Sequence, residues 1–259
     1  MILWEGASLI DGAPIVVIAT SGTKNAKTGP MLQTWILRSD VAPNAAARDG
    51  SDASICGHCP HRYRVDPVSG LGSRTCYVRS GEAPLSVWRK YRRRGMSGSG
   101  AFARMAGSAY PSGGRIGGTP VRIGSYGDPG AVPLYVWERL LQGAPSHTGY
   151  THRWRERPDL RGICMASVDS EAEMREARLL GWRTFRVLPV TESVTASATE
   201  IECRSESDGA TCADCRLCSG STREIGAIPA ISIAILAHGA SRKRVGLPIV
   251  TDSGTAIRI

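Results

Sequence analysis

Apolar runs of strand length, broken by clusters of Gly, Pro, Ser and Asn, set the rhythm of this chain. "APIVVIAT" (residues 13–20) and "MLQTWIL" (31–37) read as strands, with "SGTKNAKTGP" as the loop between them. A further loop, "RSDVAPNAAARDGSDAS" (38–54), delivers the chain to Cys56. "APLSVWRKYRRRG" (83–95) opens with a proline and closes with a glycine, which are helix start and stop signals. Residues 95–119 are rich in Gly and Ser and read as a loop or a lid that orders over substrate.

From residue 120 strands and helices alternate. "PVRIGS" is a strand, "YGDPGAVP" a turn, "LYVWERLLQG" a helix, "TGYTHRW" and "RGICMASV" strands, "SEAEMREARLLG" a helix and "WRTFRVLPV" a strand. The turn at Asp169 and Ser170 can cap its helix, with Glu171 and Glu173 at the positive end. This order predicts an α/β fold with parallel strands and right-handed helical crossovers. A Cys-rich segment at 200–239 is expected to pack on this core. All 259 residues are expected to form one domain. In such folds ligands gather at the C-terminal ends of the strands. Asp128, His152, Asp169 and the segment from Cys56 to Cys76 should therefore share one rim, and the first three are the catalytic candidates.

Composition narrows the partners. There are 32 Lys and Arg against 23 Asp and Glu, a net charge of +9, which suits a polyanionic partner such as nucleic acid. The run "WRKYRRRG" (88–95) reads first as a solvated charged face and second as a phosphate-facing helix end. No apolar stretch approaches the ~18 to 20 residues of a membrane span. The opening residues lack a basic leader, so a cytoplasmic location is the expectation.

Eight cysteines then read as metal ligands rather than disulfides, because cytoplasmic thiols stay reduced. Cys164 stands alone in an apolar context and reads as core. Cys203, Cys212, Cys215 and Cys218 form a set whose last three are spaced C-x2-C-x2-C, enough to saturate zinc or an iron–sulfur cluster of the 4Fe-4S type. His238 is a rival fourth ligand there, although a strand-end histidine is the plainer reading. Cys56, Cys59 and Cys76 form a second set, spaced C-x2-C-x16-C, with His58 and His61 inside it. Three cysteines and a histidine would close a zinc site, whereas three thiolates on a four-iron cluster would leave one iron open for a ligand.

The "CY" of "RTCYVR", the strand and turn "RIGSYGDP" and the unit "MASVDSEAEMREARLLGWRTFRVLPV" resemble radical-SAM proteins. The likeness is to spore photoproduct lyase-like enzymes and a related family of uncharacterised phage proteins, covers residues 31–190, and implies an α/β partial (β/α) barrel of parallel strands there. It implies a 4Fe-4S cluster on Cys56, Cys59 and Cys76, with S-adenosylmethionine on the fourth iron. It further implies that Ser125 and Asp128 contact S-adenosylmethionine and that Ser167 or Asp169 lies near its ribose. A reductant and a nucleic-acid or nucleotide substrate follow from the same likeness. The sequence departs from the superfamily's C-x3-C-x2-C spacing and has no clear Gly-Gly-Glu segment.

Two other readings stand beside it: a zinc-binding protein that holds nucleic acid or a partner without radical chemistry, and a zinc-bearing base-exchange enzyme with Asp128 or Asp169 as nucleophile. Among the tryptophans, Trp88 and Trp137 fall on amphipathic patterns and read as core. Trp154, flanked by arginines, is the candidate for stacking on a base. His147 reads as a solvent-facing loop residue.

Overall fold

A computed structural model describes residues 1–21, 25–65, 72–93, 118–197, 199–221, 231–239, 242–245, 248–250 and 256–258. The expected lid at 95–119 lies almost wholly outside them. Three antiparallel strands begin the fold: β1 (Ile2–Ala7), β2 (Pro14–Thr20) and β3 (Leu32–Arg38). Residues 15–19 of β2 are all buried, which is why that strand reads as a continuous apolar run instead of an alternation. The first strand was not expected. "ILWEGA" has only a broken alternation, and pairing with β2 through an irregular register supplies what local pattern does not.

The presumed loop before Cys56 contains two short helices, α1 (Pro43–Asp49) and α2 (Ala53–Cys56). Pro43 opens α1 and Gly50 ends it at φ 83°, a left-handed conformation suited to glycine. Residues 38–54 were expected to be loop because their Ser, Asp and Asn content outweighed these short apolar faces. The small hairpin β4 (Arg64–Val65) and β5 (Gly72–Ser73) follows, then α3 (Ala83–Arg93). On α3, Arg89, Lys90, Arg92 and Arg93 are exposed and Tyr91 is buried, so the basic run forms a solvated face.

From β6 (Val121–Tyr126) the expected rhythm holds. The helix α4 (Leu134–Leu141) buries Val136, Trp137 and Leu140. Next come β7 (His147–Thr148), β8 (Tyr150–Thr151), β9 (Met165–Val168), α5 (Glu171–Leu179) and β10 (Thr184–Leu188). Ser170 Oγ accepts from Glu173 N, and Glu173 accepts in turn from Asp169 N at 2.9 Å, a reciprocal cap that fixes the turn carrying Asp169. The chain ends with β11 (Glu200–Glu202), α6 (Arg204–Ser207), α7 (Cys212–Cys215), β12 (Ser232–Leu236) and a hairpin of β13 (Pro248–Val250) and β14 (Ala256–Arg258).

The strands form two five-stranded sheets, ordered β1-β2-β3-β6-β7 and β11-β12-β10-β9-β8. β3, β6 and β7 are parallel, as are β8, β9, β10, β12 and β11. The two sheets meet at Gly149. The residues before it pair with β6 and those after it with β9. A Cβ at Gly149 would stand 2.9 Å from both Cys164 Sγ and Ile163 O, so only glycine lets the chain change partners there.

A closed barrel does not form among the described residues. Instead the Cys-rich segment crosses toward the start of β3, where Cys212 N donates to Lys27 O and Ala213 N to Thr28 O. The main core spans both sheets, from Val16 and Ile36 to Trp137, Trp154 and Val168. No helix among the described residues is long and apolar enough to cross a membrane.

Candidate functional site

A cavity of about 530 Å³ opens on the inner side of the parallel strands. Alternate strand residues enter it, except at the end of β6, where residues 124–126 all line it. Arg122 and Gly124 on β6, Tyr150 on β8, Ser167 on β9, Phe185 and Val187 on β10 and Ile235 on β12 all line it. Its rim comes from residues just beyond the strands: Asp128 after β6, His152 after β8, His238 after β12 and Cys203 after β11.

The first thiol set enters from the turn after α2. Arg62 ties this turn down by donating to Asp52 Oδ1 at 2.7 Å, Gly57 O at 3.0 Å and Gly50 O at 2.6 Å. Cys59 N donates to Cys56 O, Cys76 N to His61 O, and Asp128 N to Ile55 O at 2.6 Å. Cys56, Cys59 and Cys76 all line the cavity. Burial raises the Cys56 thiol well above its usual pKa, and the charges of Cys59, Asp52 and Cys76 add to it. Burial likewise raises Cys76. Burial also opposes ionisation of Cys59, but the charge and hydrogen bond of His152 outweigh it, so this thiol alone of the three is lowered.

Of the two histidines inside the motif, His58 is exposed and His61 lines the cavity. His61 Nδ1 is 2.8 Å from Thr75 Oγ1 and its Nε2 is 2.8 Å from Asp169 Oδ1. His152 Nε2 stands 3.2 Å from Asp169 Oδ2, near enough to pair in charge. His61, His152 and Asp169 offer three ligand atoms within 4.8 Å of one another. Among the described residues no other such group of His, Cys, Asp and Glu is found.

Burial opposes the charge on all three groups. The hydrogen bonds and charges between them nevertheless hold Asp169 well below the ordinary carboxylate range, with both imidazoles raised. Asp169→Asn should therefore lower both imidazole pKa values in protein prepared without metal, read by NMR titration. Unchanged histidine titrations would show that Asp169 does not hold their protons.

Asp128 is committed elsewhere. Its carboxylate accepts from Gly130 N at 2.7 Å, Thr151 Oγ1 at 2.7 Å and His152 N at 2.8 Å, so it positions His152 through the backbone. Ser125 Oγ donates to Gln33 Oε1 at 2.6 Å, and Ser167 sits at the cavity wall on β9.

The second thiol set reaches the same cavity from the C-terminal segment. Cys203 N donates to Ala234 O, and Gly149 N donates to Cys218 O at 3.1 Å, which ties the set to β12 and to the junction of the sheets. Burial raises Cys203, Cys212 and Cys218, and neighbouring thiols of the set raise each of them further. Cys218 reaches about 12, with the Tyr150 hydroxyl opposing the rise. Cys203 and Cys212 line the cavity, so both thiol sets face one space. Cys164 is buried in the core. His238 packs its ring 5.0 Å from Tyr77.

Two expectations are corrected. Trp154 is 1% exposed and lies in the core with Arg155 above its ring at 3.8 Å, so it cannot stack on a base. His147 is a half-buried strand residue whose Nε2 is 3.1 Å from Ile163 O. Arg122, Tyr77, Tyr150 and Phe185 were not foreseen as site residues. The signal was the period-two alternation in "VRIGSY" and "TFRVL", which places polar or aromatic residues on the face opposite the core. Comparison with models of known families, with curated proteins and with solved structures finds no match.

Proposed function

We propose that this chain is a radical-SAM-like iron–sulfur enzyme. In this reading Cys56, Cys59 and Cys76 hold a 4Fe-4S cluster, and Cys203, Cys212, Cys215 and Cys218 hold a second cluster or zinc. The observation that carries it is the meeting of both thiol sets on one cavity, beside Ser125, Asp128 and Ser167 at the ends of parallel strands.

When bound, the cluster and S-adenosylmethionine would supply reductive cleavage of the sulfonium and hydrogen abstraction from a substrate, with an external reductant giving the electron. The chain's own residues divide the remaining work. The thiols bind. Ser125, Asp128, Ser167 and Asp169 are the proposed contacts for S-adenosylmethionine, with Asp128 acting through the backbone it fixes. Phe185, Val187, Ile235 and Ala237 line the cavity with apolar surface and exclude water. A nucleic-acid or nucleotide substrate is proposed from the net charge of +9, and a cytoplasmic location from eight free thiols.

A second reading rests on His61, His152 and Asp169, whose spacing suits one ion such as zinc. The protein would then be a zinc-dependent binder of nucleic acid or a partner. Metal and sulfide analysis of anaerobically purified protein, with S-adenosylmethionine binding by calorimetry, separates the two. Iron with matching sulfide, and binding, is the expected result; colourless protein with stoichiometric zinc alone would sink the first reading.

A further inference from the structure

Arg122 is the cavity's unanswered charge. Its Nη2 donates to Tyr77 Oη at 2.7 Å, and its guanidinium carbon lies 5.8 Å from the centre of the Tyr150 ring. No carboxylate stands within ion-pair distance of it among the described residues. The lining carboxylate Asp128 is engaged by Gly130, Thr151 and His152, and Asp169, behind the lining histidines, by two imidazoles. Lys27, a lining ammonium, pairs with Glu206. A half-buried guanidinium without a counter-charge is costly unless an anion arrives, and its planar fork matches the oxygens of a phosphate or carboxylate.

The surroundings describe the rest of such a ligand. Tyr150 and Phe185 pack with ring centres 4.3 Å apart, and Tyr77 and His238 with centres 5.0 Å apart, all lining the same cavity. Aromatic walls beside one fixed cation suit a planar ring that carries an oxyanion. The cavity, at about 530 Å³, is large enough for a small molecule of that kind.

We propose that Arg122, oriented by Tyr77, anchors the phosphate or carboxylate of a small ring-bearing ligand against Tyr150 and Phe185. This assignment does not depend on which metal the thiols take. The rival role for Arg122 is to offset the charge of the nearby Cys212 thiolate.

Calorimetry on the full, metal-loaded protein with phenyl phosphate, benzoate and phenol tests the assignment. At least one anion should bind while phenol binds far more weakly, and the tighter anion identifies the source. Arg122→Gln should weaken the anion by about tenfold or more, since a charge-assisted fork is lost. Tyr77→Phe, which keeps the guanidinium but frees it, should weaken the anion less. Metal content should match the wild type in both variants. Equal anion affinity in wild type and Arg122→Gln would overturn the proposal, as would failure of both anions to bind the wild type. Loss of metal from Arg122→Gln with anion affinity retained would assign Arg122 to the thiolates instead. Zinc found in place of iron, with the anion still bound through Arg122, would remove the radical reading and leave this one intact.

Discussion

Cys59→Ser should strip the metal complement from the first thiol set and leave the C-terminal set loaded. His152 and His61 act on the charge of Cys59, and that charge acts in turn on Cys56 and Cys76, so a hydroxyl there removes the one thiol held toward its ionised form. The turn itself should survive. It is tied by Arg62 to Asp52, Gly50 and Gly57 and by Cys76 N to His61 O, and none of these bonds uses a sulfur. Metal and sulfide per chain, measured with circular dichroism, check the prediction: one complement disappears and the spectrum of the fold stays. Cys164→Ala is the control, because this cysteine is 0% exposed within the core. It should cost stability by leaving a small void, while metal content is unchanged. Retention of full metal in Cys59→Ser would show that the three cysteines are not a ligand set.

The parallel half of the fold was legible because turn residues punctuate its strands and the helix α5 carries its own cap. Ser170 with Glu173 is the clearest case, since the residues that close the turn are adjacent in sequence. What was not legible depends on distant partners. Strand β1 is defined by pairing with β2, and α7 is placed by carbonyls of Lys27 and Thr28, more than a hundred residues earlier. The same limit governs the site. Spacing identified seven cysteines, of which Cys56, Cys59, Cys76, Cys203 and Cys212 line the cavity, and strand order brought Asp128 and His152 to its rim, with Asp169 against His61 and His152. Neither could reveal that Asp128 would have its carboxylate occupied or that His61, rather than His58, would face Asp169. Trp154 misled because flanking arginines look alike whether the ring between them lies outside or, as here, beneath one of them.

Arg183→Ala should destabilise the protein by about 3 kcal/mol or more, because it removes a buried charged donor from three carbonyl contacts at once. Arg183 is 3% exposed, and it is the strut between β10, the second thiol set and β12. Its Nε and Nη2 donate to Ile231 O at 2.8 and 2.6 Å, and Nη1 donates to Gly220 O at 2.9 Å. Its own backbone N donates to Ser221 Oγ at 2.8 Å. Burial lowers its pKa from the usual value, with the charge of Cys218 opposing the fall. Gly220 allows no adjustment: at φ 98° a Cβ there would come 2.4 Å from Gly162 O, so the segment beyond Cys218 has little room to repack. The loss should appear as a fall in melting temperature of about 6 to 12 °C. Metal should leave the C-terminal set before the first, because the strut lies two residues from Cys218 through Gly220. Arg175→Ala, which breaks only an exposed pair with Glu171, should move the melting temperature by about 1 °C or less. If Arg183→Ala behaves like that control, the second thiol set is held by its ligands alone, and the buried guanidinium is not what joins it to the sheet.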